Sequence, residues 1–351
     1  MAPLTTALPD AEDIGWFRVS DDSAVGTVRR RAMSLAEQHG YSDGRRGEVG
    51  IVLTELATNL VRHAHEGRIV LRLLRAGPVA GIEVVALDRG PGIADLRAAL
   101  RDGHSEAGTL GVGLGAVSRL ATSWDAHSVP GRGTVVVATM WPRNSGASAA
   151  VPDVSDDVAA LAQPTQGKAV CGDGYAIRSD AGVLRVLVCD GLGHGPLAAA
   201  ATREAIRLFR EADPQPPAQM LTLLHEGLSR TRGAAAAVAE VDAAAGSVRH
   251  AGMGNIAGAL VSPARRRMLL SQPGIVGHRG RSIHEFTYET SLGDLLVLHS
   301  DGLRGRWELE SYPGLTDHRP LVIAATLLRD AGVCRDDAGV LVARISSAGT
   351  G

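Results

Sequence analysis

Two sets of residues on this chain have types and spacings suited to handling phosphate, and they point in opposite directions. The first begins with Glu55-Leu-Ala-Thr-Asn59 and continues with Asp88-Arg-Gly-Pro-Gly92 and Gly108-Thr-Leu-Gly-Val-Gly-Leu-Gly115. A carboxylate and an amide four residues apart lie on one face of a helix. Asn59 could then offer an amide oxygen to magnesium while Glu55 polarises an attacking hydroxyl. On its own, such a pair is ordinarily a solvated helix face. The run Val84-Val-Ala-Leu87 reads as a buried strand that stops at Asp88, where a carboxylate can accept from an adenine amino group. Gly90 and Gly92 permit a tight turn and close backbone approach to a flat ligand. Gly108, Gly111, Gly113 and Gly115 lead into a helix, and amides at a helix start favour phosphate. No strand precedes those glycines, which argues against a dinucleotide fingerprint. The order suits an ATP site built without a P-loop.

The second set is acidic: Gly172-Asp173-Gly174, Asp190-Gly-Leu-Gly-His-Gly195, Ser300-Asp301-Gly302 and Asp336-Asp337. Each taken alone is an ordinary turn or strand end, because Asp-Gly is a common turn former. Together they repeat one design, with Asp190 and Asp301 ending apolar runs and Asp336 preceding another. Converging carboxylates are costly unless cations neutralise them. Magnesium or manganese would supply that charge and want several oxygen ligands. Two such ions about 3.5–4 Å apart can activate a hydroxide for in-line attack on phosphorus.

The elements that must carry these residues follow from the periodicity. In the first half we expect a strand near 16–19, helices at 23–39 and 46–64, and strands at 68–75 and 81–87. A helix at 112–121 and strands at 124–129 and 134–140 complete an α+β unit, with helices on one face of a mostly antiparallel sheet. The Ser-, Ala- and Pro-rich stretch 143–164 reads as a linker. Beyond it, strands are expected at 184–189, 235–241, 247–250, 257–261, 295–299 and 339–345. Helices are expected at 196–211, 218–230 and 321–330, giving two sheets flanked by helices. The domains are therefore set at 1–142 and 165–351.

Bulk properties limit the alternatives. The 351 residues suit two domains, and 45% hydrophobic content is ample for two cores. A net charge of -2 gives no electrostatic case for nucleic acid or an anionic membrane. No apolar run approaches the ~20 residues that span a bilayer, and the N-terminus lacks the pattern of a secretory signal. Cys171, Cys189 and Cys334 have no metal-type spacing. A cytoplasmic setting is expected. Lys168 is the only lysine, and Gly167-Lys168-Ala169 is not a Walker A loop. ATP chemistry here must rely on glycine backbone, magnesium and arginine.

Residues 16–140 resemble the Bergerat-fold ATPases, and within them the small bacterial serine kinases that regulate sigma factors and the stressosome. The similarity rests on Glu55 and Asn59, on Asp88, Gly90 and Gly92, on the glycine lid through Gly115, and on Gly131-Arg-Gly133-Thr134 as a late adenine-side contact. It implies a Bergerat-type α/β sandwich with ATP and magnesium as ligands. It also implies a serine target on a STAS-domain antagonist or stressosome-type partner. Residues 166–345 resemble the metal-dependent phosphatases of the 2C type, in particular the SpoIIE-like branch. That resemblance implies an α-β-β-α fold in which Asp190 bridges two metals and the Gly191 carbonyl adds a ligand. Asp301 and Asp336 would hold one metal, and Asp173 the other or a water. His194 would donate a proton to the leaving serine. Gly339 stands where this family usually has Thr, so the register between Asp336 and Asp337 stays open. The reading that follows is a protein serine/threonine kinase and phosphatase on one chain. The alternative is a module that binds ATP and a sigma factor or phosphatase activator without transferring phosphate, fused to an active phosphatase.

Overall fold

The computed structural model describes residues 8, 10–99, 113–143, 156–168, 170–263, 265–278, 282–333 and 335–346. The chain forms two compact units, Met1–Ser155 with Glu308–Arg329, and Asp156–Trp307 with Asp330–Gly351.

The first unit runs β1 (Asp10–Arg18), α1 (Asp22–Gln38), α2 (Asp43–His63), β2 (Arg68–Ala76), β3 (Val79–Leu87), α3 (Leu96–Ala99), α4 (Gly113–Leu120), β4 (Ser123–Val129) and β5 (Gly133–Met140). Its sheet has the order β1-β2-β3-β5-β4 and is antiparallel throughout. Helix α2 starts where the Ser42 side chain accepts from the Arg45 N–H at 3.3 Å, a cap whose loss typically costs about 1 kcal/mol. Its apolar stripe, Val49, Val52, Leu53, Leu56, Ala57 and Leu60, is buried in one core with every second residue of β2 and β3. Truncating Leu53 within that core would cost about 2–5 kcal/mol. Burying this stripe leaves Glu55 and Asn59 half-exposed on the flank of the same helix. Buried Arg45 ties α2 to the rest of the unit, donating to the Trp141 and Leu120 carbonyls at 2.9 and 2.7 Å and to Thr122 Oγ1 at 3.0 Å.

Residues 308–329 were expected in the second domain but pack in the first unit. The Asp125 carboxylate on β4 meets His318 Nδ1 at 2.7 Å and accepts from the Arg319 N–H at 2.8 Å. Arg329 Nη1 donates to the Asp88 carbonyl at 3.2 Å.

The second unit contains β6 (Val158–Gln163), β7 (Asp173–Asp180), β8 (Val183–Gly191), α5 (Pro196–Glu211), α6 (Pro217–Gly227), β9 (Ala234–Asp242), β10 (Ser247–Met253), β11 (Ala257–Ser262), β12 (Arg265–Leu269), β13 (Phe286–Glu289), β14 (Leu295–His299) and β15 (Ala338–Arg344). Helix α7 (Pro320–Ala331) begins in the first unit and ends at Ala331 in the second. Two five-stranded sheets form, β13-β10-β9-β8-β7 and β12-β11-β14-β15-β6. Alternate residues of both sheets, among them Val186, Val188, Ala237, Leu296, Leu298 and Leu341, share one core. The outer face of the first sheet packs on α5 and α6 through Leu187, Cys189, Phe209, Met220 and Leu224. The expected linker needs correcting at its C-terminal end. Residues 158–163 are strand β6, paired antiparallel with β15 from Ala343↔Val158 to Ala338↔Gln163. Its apolar run is continuous rather than alternating, and the adjacent Ala160 and Leu161 are both fully buried.

Candidate functional site

In the first unit the sheet delivers Asp88 at the end of β3, and its N–H donates to the Thr134 carbonyl at 3.0 Å. One carboxylate oxygen accepts from the Gly90 N–H at 2.6 Å. Burial raises the Asp88 pKa, while the Gly90 N–H, Arg329, the Thr134 backbone and His65 oppose the rise. Gly133 has φ +96°, and a Cβ there would lie 2.0 Å from the Asp88 carbonyl oxygen. Only glycine permits that approach. Thr134 is buried, with its hydroxyl 2.9 Å from the Ser128 hydroxyl. The turn at Gly90 packs against the end of α2: a Cβ at Gly90 would meet the His63 carbonyl at 2.8 Å. The Arg89 N–H donates to the His65 carbonyl at 2.9 Å. Asp88 and the helix bearing Glu55 and Asn59 thus close on one another. Burial also raises the Glu55 pKa, with Arg62 pulling it back. No described residue bonds to the Asn59 amide. Gly113 opens α4 in open space and Gly115 is buried in its first turn. Gly108 and Gly111 lie outside the described residues.

In the second unit, Asp173 at the start of β7 pairs in register with Asp190 near the end of β8. Their carboxyls share a hydrogen bond, and both pKa values rise. For Asp173 the cause is burial, then the charge of Asp190; for Asp190 it is burial, then the charge of Asp301. The Ser300 hydroxyl donates to Asp173 and accepts from the Gly339 N–H at 2.9 Å. Asp301 is exposed and accepts from Asn255 Nδ2 at 2.6 Å. Asp336 is exposed as well; burial, Asp301 and Asp337 raise its pKa, while the Asp337 N–H and His194 lower it. The acids therefore share one neighbourhood with His194, which is exposed on the loop before α5. Among the described residues, however, no three His, Cys, Asp or Glu side chains already form a shell around a single point. Asp173 and Asp301 instead turn to Ser300 and Asn255. Gly191 must lack a side chain, because a Cβ there would fall 2.1 Å from the Ala198 carbonyl oxygen.

The neighbouring acids separate cleanly. Asp337 is buried, and its carboxylate accepts from the Thr165 N–H at 2.6 Å, the Thr165 hydroxyl at 2.8 Å and the Gly172 N–H at 2.6 Å. It is spent on holding the chain ahead of β7, and Asp336 is the acid left facing Asp301. Oxygen donors gathered in this way fit hard divalent cations.

Residues 19–140 match the histidine kinase-like ATPase domain family, and residues 180–346 match the stage II sporulation protein E (SpoIIE) family. The serine/threonine-protein kinase RsbT of Bacillus subtilis (strain 168) is 31% identical over 131 residues, covering 37% of this chain and 98% of that protein. The chain belongs to the histidine kinase-like ATPase family through its first half. Its second half carries the match to the SpoIIE family. The phosphoserine phosphatase RsbX of the same organism is 26% identical over 144 residues, covering 39% of this chain and 70% of that protein. A solved structure of RsbX in complex with magnesium is 21% identical, with a TM-score of 0.48, and covers 53% of this chain and 94% of that one. ATP and a divalent cation fit these two domain types. A kinase-like and a phosphatase-type domain on one chain are the parts of a partner-switching regulator. No described helix is long and apolar enough to cross a membrane.

Sequence reasoning missed two residues of the SpoIIE-type half. Asn255 lies in Ala251-Gly-Met-Gly-Asn-Ile256, a segment that resembles the SpoIIE-like branch without giving the asparagine a role of its own. Ser300 stands in the Ser300-Asp301-Gly302 motif with no role assigned by spacing, and its hydroxyl donates to Asp173, 127 positions away.

Proposed function

We propose that the chain is a cytoplasmic bifunctional regulator: residues 1–142 phosphorylate Ser or Thr on a STAS-domain or stressosome-type partner, and residues 165–351 remove such phosphates. The kinase reading assigns the adenine amino group to the Asp88 carboxylate, beside Gly90, Gly92 and Thr134. Asn59 would hold magnesium, and the glycines from Gly108 to Gly115 would enclose the phosphates. Glu55 would take the proton of the target hydroxyl as its oxygen bonds to the γ-phosphorus and the bond to the β-phosphate bridge breaks. Such transfer is chiefly positioning and charge stabilisation. Burial favours the neutral form of Glu55, which is the direction that makes a carboxylate a stronger base.

For the hydrolytic half, Asp190 and the Gly191 carbonyl would face two cations, with Asp301 and Asp336 on one and Asp173 on the other or on a water. Bound magnesium or manganese supplies Lewis acidity toward water and phosphate oxygens. A water would lose one proton to a neighbouring carboxylate as its oxygen bonds to phosphorus, the bond to the serine oxygen would break, and His194 would give that oxygen its proton. The observation that carries the reading is the Asp173–Asp190 pair, raised in pKa and beside Asp301 and Asp336, on a chain that also holds a separate Asp88 turn.

A phosphorylation time course with labelled ATP, a purified STAS-domain protein and the full chain tests both halves. Label should accumulate on serine or threonine without manganese and fall once manganese is added. Nucleotide binding with no label transferred would leave the first half a binding module only.

A further inference from the structure

The acids of the second unit carry negative charge toward a substrate that is itself a phosphate dianion. Beyond bound cations, a protein cation can also orient the phosphoryl group. The described residues supply one. Strand β9 runs beside β8 with Asp190↔Ala235 and Gly191↔Ala234 in register. Arg232, two residues before β9, therefore lies at the same sheet end as Asp190. The Leu192 N–H donates to the Gly233 carbonyl at 3.0 Å, which binds the two segments together past the strand ends. A Cβ added at Gly193 would lie 3.1 Å from Arg232 Nη1, so the guanidinium rests on the loop between Asp190 and His194.

The backbone that bears this side chain is held firmly. The Arg232 carbonyl is 3.0 Å from the His278 Nε2. The Thr231 hydroxyl donates to the Leu228 carbonyl at 2.7 Å and accepts from the Gly233 N–H at 2.9 Å. The guanidinium itself is exposed and pairs with no described carboxylate. That sets it apart from Arg185, which pairs with Glu240 at 2.9 Å, and from Arg249, which bonds to the same carboxylate. An arginine anchored at its backbone, unpaired at its head and set on the loop of Asp190 and His194 has its donors available for a ligand.

We propose that Arg232 is the residue that recognises the substrate phosphate, its planar fork donating to two phosphoryl oxygens of phosphoserine or phosphothreonine. This rests on the hydrolase reading of the same site. The fork geometry matches phosphate in a way a point charge does not. The preference set here is for dianionic monoesters, which offer more than one free oxygen to the fork.

The test compares wild type with Arg232→Ala and Arg232→Lys, each loaded with manganese. Calorimetry measures the affinity for inorganic phosphate, and hydrolysis of a phosphoserine peptide gives KM and kcat. Arg232→Ala should weaken phosphate binding and raise KM by about 10-fold, the discrimination expected from losing a charge-assisted contact. Its kcat should change less, and Arg232→Lys should fall between. Manganese affinity and melting temperature should stay at wild-type values, because the side chain touches neither core nor acid. Phosphate affinity and KM within twofold of wild type in Arg232→Ala overturn the proposal, as does wild-type protein that binds no phosphate. A wild type that binds phosphate but hydrolyses nothing, with binding lost in Arg232→Ala, would sink the hydrolase reading and keep the arginine.

Discussion

Glu55 and Asp88 in the first unit stand apart from other acids, whereas in the second the charges of neighbouring carboxylates help to raise the pKa values of Asp173, Asp190 and Asp336. Burial lifts both first-unit carboxyls, but neighbours offset it: Arg62 for Glu55, and the Gly90 N–H, Arg329 and His65 for Asp88. In the second unit the main influence after burial on Asp173 and Asp190 is another carboxylate. A site that receives an adenine amino group and one cation can be built from separate acids. A site for two cations needs acids that are unfavourable together until charge arrives. The same local spelling, an Asp followed closely by Gly at the end of an apolar strand, thus serves two electrostatic designs. Register decides which: Asp88 has Thr134 and Gly133 beside it, while Asp190 has Asp173.

The largest effect should come from breaking the second design at its centre. Asp190→Asn is expected to lower manganese-dependent hydrolysis of a phosphoserine peptide by more than about 100-fold, beyond the scale at which even outer-sphere changes act. ATP binding and phosphate transfer should be unchanged; loss of both activities in a folded protein would mean the sites are not separate. In the first unit, Glu55→Ala should slow transfer to a STAS-domain partner by roughly 10²–10⁴-fold, the usual reach of a general base. Nucleotide affinity, followed by calorimetry, should hold; if it falls as far as the rate, Glu55 is a binding group. A finer cut lies between adjacent acids. Asp337→Asn places an amide group against three donors and should destabilise the fold by about 1–3 kcal/mol in urea titrations. Asp336→Asn should leave metal-free stability unchanged and weaken manganese binding. The reverse pattern would reassign the ligand.

Much of this was legible in the chain because chemistry and periodicity coincide. Apolar runs that stop dead at Asp88, Asp190 and near Asp301 announced strand ends, and the observed strands end there. Other features depend on partners remote in sequence. Val158-Ala-Ala-Leu-Ala-Gln163 looks like linker until β15 is placed beside it. Asp336 and Asp337 are indistinguishable by type and spacing; only the approach of Thr165 and Gly172 shows that one carboxylate is already engaged. Residues 308–329 follow Asp301 closely and read as part of the same domain, yet Asp125 holds His318 and Arg319 in the first unit. A hydrogen bond across more than 190 positions leaves no local trace.

The smallest effect contrasts two buried histidines. His127 on β4 is lowered in pKa, chiefly by burial, but its Nε2 lies 3.0 Å from the Pro313 carbonyl. His250 on β10 is fully buried, and neither ring nitrogen has a hydrogen-bond partner. Burial pushes its pKa down to about 4, with only the Leu270 backbone favouring the charged form. The unfolded chain binds this proton near pH 6.5 and the native chain does not, so stability should decline as pH falls from 6.5 toward 4. The full shift corresponds to about 3 kcal/mol, at 1.36 kcal/mol for each pKa unit. Partial protonation at pH 5.5 should cost about 1 kcal/mol relative to pH 7. His250→Leu removes the titrating group while keeping an apolar side chain in that core. Urea melts of wild type and this variant at pH 7 and pH 5.5 give the comparison. The variant should lose less stability on acidification, by about 1 kcal/mol. Equal losses in both would mean that His250 finds a partner when protonated, and that the second unit tolerates the charge as readily as the first.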